Sequence, residues 1–212
     1  MSTSAFTRLA APLTLTTLLA CAPGCSTTYP SVRLTEDWPA HVGAYEDVVA
    51  TWTRKAQLRG EYQEVCELAA TLKSPEWRAA YAVEDANHRG LTGEARDQRL
   101  AQARADAAGP FEVEVMLTTW DRRENDIDRG KKSVWRVVLL DEQGHESEPL
   151  EIVKDRRPTF VVRSEFPELG EFATPYIARF PRTAAVFGPN SKQVRLHMSS
   201  SRGGVEVDWK GQ

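Results

Sequence analysis

Apolar residues change rhythm several times along the chain, and each rhythm predicts a different element. Leu9 to Ala20 is an almost unbroken apolar run. Ala22 to about Glu36 has no apolar period and carries Pro, Gly, Ser and Thr, the composition of a flexible tether. Val42, Tyr45, Val48, Val49 and Trp52 then fall at helical spacing, which predicts an amphipathic helix from Val42 to about Lys55. A second pattern overlaps it. Trp52, Arg54, Ala56 and Leu58 alternate as in a strand, and 62–72 would be its hairpin partner after Arg59-Gly60. The helix is preferred for the first half, and the second half stays open between helix and strand.

Ser74-Pro75-Glu76-Trp77 is a clear helix start. Ser supplies a capping oxygen, Pro suits the first helical position, and Glu suits the positive end of the helix dipole. A helix from Pro75 to about Asn87 would bury Trp77, Ala80 and Tyr81 before Arg89-Gly90 stops it. Thr92 then caps GEARDQRLAQARADAAG, a helix whose thin stripe of Ala95, Leu100, Ala103 and Ala107 predicts a largely solvated member of a helical hairpin.

Beyond Gly109-Pro110 the period drops to two. Phe111, Val113, Val115 and Leu117 share one face, opposite Glu112, Glu114 and Met116, which reads as a half-buried strand. Val134 to Leu140 is apolar on both faces and predicts a central strand. Leu150 to Val153, Thr159 to Arg163, Thr174 to Phe180, Gln193 to Met198 and Gly204 to Trp209 follow, with a hairpin turn at Ser199 to Gly203. The expected fold is α+β: an antiparallel β-sandwich of about seven strands over 109–212, preceded by a helical hairpin within a mainly helical 37–108 and packed with it as one domain.

The opening run acquires meaning from its flanks. Arg8 precedes it and small residues follow, the layout of a secretory signal over residues 1–20. At roughly a dozen residues it is too short to span ~30 Å of hydrocarbon at 1.5 Å per residue. Leu18-Leu19-Ala20-Cys21 resembles the lipobox of bacterial lipoproteins. That resemblance covers the first tenth of the chain. It implies lipid attachment at Cys21, cleavage before it, and a membrane partner held through several acyl chains at ~0.8 kcal/mol per buried methylene. Cys25 is the competing lipid acceptor, but Pro23 and Gly24 precede it and only Gly24 suits the pattern. In such lipoproteins an Asp after the lipidated Cys favours the inner membrane. Ala22, or Ser26 after Cys25, implies the outer membrane, facing the periplasm.

The leader also sets the cysteine arithmetic. Lipid on Cys21 leaves Cys25 and Cys66 in an oxidising compartment, where a disulfide is possible. Cys66 lies in the apolar EVCELAATL, so a buried small hydrophobe is the preferred reading. With 41% hydrophobic and 27% charged residues the composition is ordinarily globular, and a net charge of −3 leaves no basic face for nucleic acid.

Candidate chemistry is sparse. Asp121, Glu124, Asp126 and Asp128 gather in WDRRENDIDRG, but the order departs from an EF-hand and Arg122, Arg123 and Arg129 oppose a cation. His41, His88, His145 and His197 show no zinc spacing, and His197 should point to solvent from its strand. There is no G-x-S-x-G or dinucleotide fingerprint. Ser199 to Gly204 is read as a turn. Trp120, Trp135, Tyr176, Phe180 and Trp209 are read as core, the alternative being a sugar- or lipid-binding surface. No catalytic, cofactor or metal residue is assigned. The expected function is a non-catalytic binding, assembly or structural module of the envelope with envelope proteins as partners. The alternative is a hydrolase of envelope polymers using Asp121, Glu124 or Asp126 as acid and base.

Overall fold

The structure is a computed structural model that describes residues 28–183, 186–188 and 191–212, so the leader, Cys21 and Cys25 lie outside the described residues. It is mixed helix and sheet, with antiparallel pairing throughout both sheets.

The ambiguous segment takes both of its readings in succession. Helix α1 runs Tyr45–Trp52 and buries Tyr45, Val48, Val49 and Trp52. Strand β1 starts at the next residue, Thr53–Arg59, and turns through Gly60 into β2, Glu64–Leu72. The 37–108 segment thus also contributes two strands to the sheet that contains β3, Phe111–Thr119. Between them lie α2, Pro75–His88, and α3, Gly93–Ala107. Ser74 Oγ accepts from Trp77 N at 3.1 Å, the predicted cap, with Pro75 at the first turn. Thr92 holds the N-cap position of α3 without a side-chain bond. Ser74→Ala should therefore cost about 1 kcal/mol, read as a lowered urea midpoint with unchanged slope.

Strands β4, Arg136–Leu140; β5, Glu146–Ser147; β6, Glu151–Lys154; β7, Thr174–Phe180; β8, Gln193–Ser200; and β9, Gly203–Lys210, complete the two sheets. Their orders are β1-β2-β3-β7-β6 and β5-β4-β8-β9. The β8 to β9 turn is two residues, and Gly203 at φ 125° holds a backbone conformation that a residue with a Cβ would strain, besides pressing on Leu58 Cδ1 at 3.3 Å.

Residues 159–163, expected as a strand, form helix α4, Thr159–Glu165. Burial decides against the β-propensity of Val161 and Val162. Val162, Glu165, Phe166 and Leu169 are the buried positions, at i, i+3, i+4 and i+7, and only a helical start places them together.

The expected half-buried strand at β3 is also corrected. Both of its faces are buried: Val113, Val115 and Leu117 on one side, Glu114 and Met116 on the other. Aromatics from α1, α2 and the end of α4 form a connected stack over that second face. Trp77 stacks on Tyr81 at 5.2 Å and on Phe166 at 5.5 Å, with Tyr45 edge-on to Trp77.

The tether is shorter than the composition implies. Val32 and Leu34 are 2% and 4% exposed, and Val32 bridges in parallel to Gly211 at the other end of the chain. The Val-Arg-Leu alternation behaves as a strand fragment. Arg54, 1% exposed, secures it: its guanidinium donates to the carbonyls of Pro30, Thr51, Thr53 and Asp208 and lies over the Tyr29 ring.

Candidate binding cleft

The loop carboxylates do not converge. Asp121 is held by the Arg123 guanidinium at 2.8 Å and accepts from Arg123 N, which keeps its pKa below the ordinary carboxylate value. Glu124 pairs with Arg202 across the β8 to β9 turn. Asp126 is buried and accepts from Ser133 Oγ at 2.9 Å and Val134 N at 3.2 Å. Asp128 faces Lys154. Each has a different partner, and no cluster of His, Cys, Asp or Glu among the described residues has the geometry to hold a metal.

The histidines stay scattered. His88 and His145 are exposed beside Glu84 and Asp141. His197 is half-buried beside Glu206 and packed against Gly204, not fully solvated as its strand position predicts. Cys66 is 1% exposed in the core of β2, has no disulfide partner among the described residues, and has its thiol pKa pushed up to about 11 by burial. That is a small hydrophobe's environment, not a nucleophile's.

Sequence reasoning missed a buried ionic network beneath the aromatic stack. Glu114 has no exposed surface, and Lys73 Nζ lies 2.9 Å from one of its oxygens. Burial outweighs the attraction of Lys73, so the carboxyl pKa is raised. Lys73 also sits over the Trp77 and Phe166 rings. Arg157 bridges Asp155 and Glu165 at 2.6 Å each, and Tyr81 donates to Glu165. Each cation of the network is thus paired with a carboxylate inside the fold.

An open cleft lies at one end of the five-stranded sheet. Of the predicted aromatics, Trp135, Tyr176, Phe180 and Trp209 are core, whereas Trp120 is 69% exposed. Phe172, 68% exposed and unremarked in the sequence, lines the same cleft of about 540 Å³. That volume is in the usual range for small-molecule sites, about 300–1,000 Å³. Backbone ties brace both platforms. Trp120 N donates to Val65 O at 3.2 Å, Thr119 Oγ1 donates to Asp121 O at 2.8 Å, and Ala173 N closes a turn onto Gly170 O. Thr118 and Thr174 also line the cleft. Asn125 is fixed there, donating to Leu117 O and accepting from Tyr176 Oη.

A larger hollow, about 670 Å³, lies between 127–137 and 148–152. Its Arg136 and Glu148 pair with each other, and its Trp135 is buried. It offers a ligand neither an exposed aromatic face nor unpaired charge from these groups. The chain matches no known family model, curated protein or solved structure.

Proposed function

We propose that this chain is a lipid-anchored protein of the bacterial cell envelope, a non-catalytic binding or assembly module facing the periplasm from the outer membrane. The observation that carries the reading is Leu18-Leu19-Ala20-Cys21 at the end of a short apolar run that follows Arg8. The domain it would carry is a β-sandwich of the two sheets with α2 and α3 as a helical hairpin. No described helix is long and apolar enough to cross a membrane, so covalent lipid is the anchor in this reading.

The docking of Tyr29 onto Arg54 supports a short leash. Fully extended chain covers at most ~3.6 Å per residue, so Tyr29 lies within roughly 30 Å of a lipidated Cys21. The module then works close to the bilayer. Cys21→Ser should abolish lipid labelling and leave the leader uncleaved, and globomycin treatment of the wild type should accumulate an uncleaved precursor that still carries lipid label, while Cys25→Ser leaves labelling and cleavage unchanged. Normal processing of Cys21→Ser overturns the anchor, and fractionation with the inner membrane overturns the sorting.

A further inference from the structure

We infer that the Trp120 and Phe172 cleft binds an uncharged glycan, stacking sugar rings on the two aromatic faces. This deepens the binding-module reading and rests on it only for the compartment in which such a glycan is met.

The lining chemistry selects the ligand class. Both rings stand about two-thirds exposed on backbone that is already braced, so little ordering cost remains when a ligand arrives. Arg122, Glu64 and Glu171 line the cleft and have no ion-pair partner among the described residues. Lys154, the fourth charged group, is only 3.9 Å from Asp128. Two cations thus face two carboxylates. A polyanion would meet both carboxylates, which argues against nucleic acid and phosphorylated sugars. An anionic bilayer surface would meet the same repulsion, and interfacial segments rely on an excess of Lys and Arg that this cleft lacks. A sugar hydroxyl both donates and accepts. It satisfies guanidinium, ammonium and carboxylate without carrying charge. The apolar faces of a pyranose suit Trp and Phe.

The test uses the full-length lipidated protein in detergent micelles, titrated calorimetrically with chitotetraose, cellotetraose, maltotetraose and mannotetraose. At least one should bind saturably. Trp120→Ala and Phe172→Ala should each weaken it by about ten-fold or more. Phe160→Ala, an exposed aromatic outside the cleft, should leave affinity unchanged. Both cleft substitutions are on exposed side chains, and unchanged thermal midpoints would show that the fold is intact. The inference is overturned if no tetraose binds, if binding survives both substitutions, or if Trp120-dependent binding is found only to phosphatidylglycerol vesicles. If the wild-type chain carries no lipid yet binds a tetraose through Trp120, the anchor is overturned and the cleft assignment stands.

Discussion

Arg54→Met is expected to destabilise the protein by about 3–5 kcal/mol, a fall in melting temperature of roughly ten degrees for a domain of this size. Arg54 Nε donates to Asp208 O at 2.8 Å, and its terminal nitrogens donate to Thr51 O at 2.6 Å, Thr53 O at 3.0 Å and Pro30 O at 2.9 Å. A thioether leaves all four acceptors without that partner, and each stranded buried group costs about 1–3 kcal/mol. The sum is an upper bound. Removing the guanidinium also removes its own burial cost, the same cost that lowers its pKa. Arg54→Lys should recover little, because three donors on a point charge cannot reproduce a planar fork reaching four carbonyls. The loss should be local first. Val32 N bonds to Lys210 O and Gln212 N to Val32 O, so these amides should lose hydrogen-exchange protection before those of β3. A loss under 1 kcal/mol, or amides at Val32 as protected as in the wild type, would show that the chain ends are held by Val32 and Leu34 packing alone.

Arg54 also illustrates where local pattern stops. Its place in the Trp52, Arg54, Ala56, Leu58 alternation is legible, but two of its four acceptors, Pro30 and Asp208, are 24 and 154 residues away and no local window contains them. Features built from adjacent residues were read well. The Ser74 cap, strand β7 and the β8 to β9 hairpin each carry their own signal in a few neighbouring side chains. At 42–58 both competing periods were real, because the chain changes from helix to strand between Trp52 and Thr53. Helix α4 was misread for the opposite reason. Its β-branched residues favour a strand, and the burial that overrides them at Glu165 and Phe166 comes from α1 and α2. The site divides in the same way. Trp120 reads as core by its place beside a strand and is instead 69% exposed, while Phe172 has no local mark and joins it only through the pairing of β3 with β7. Glu114 was assigned to solvent because alternation describes one sheet and cannot foresee a second layer on its far face.

That buried carboxylate sets up the largest electrostatic effect expected in the molecule. Lys73→Met should cost about 3–5 kcal/mol at pH 8, since it strands Glu114 in a site with no exposed surface. Lys73→Met combined with Glu114→Leu should recover most of that loss, because an apolar pair of similar volume needs no counter-charge. The pH dependence has a definite sign. Burial raises the Glu114 pKa above its ordinary 4.5 despite Lys73, so folding favours the protonated carboxyl. Its contribution is complete below 4.5 and is lost as pH rises through the raised folded value. Glu112 and Asp155 run the other way. Burial there is outweighed, by Lys73, Arg179 and Arg78 at Glu112 and by Arg157 at Asp155, so their contributions are lost as pH falls. Subtracting the stability of Glu114→Gln from that of the wild type isolates the first group, and the difference should shift against the wild type as pH increases from 4.5. Lys73→Met should likewise cost less at pH 5 than at pH 8, because protonation of Glu114 removes the charge that Lys73 offsets. Equal cost at both pH values, with no recovery in the double variant, would mean that Lys73 stabilises the fold by covering the Trp77 and Phe166 rings and not by neutralising Glu114.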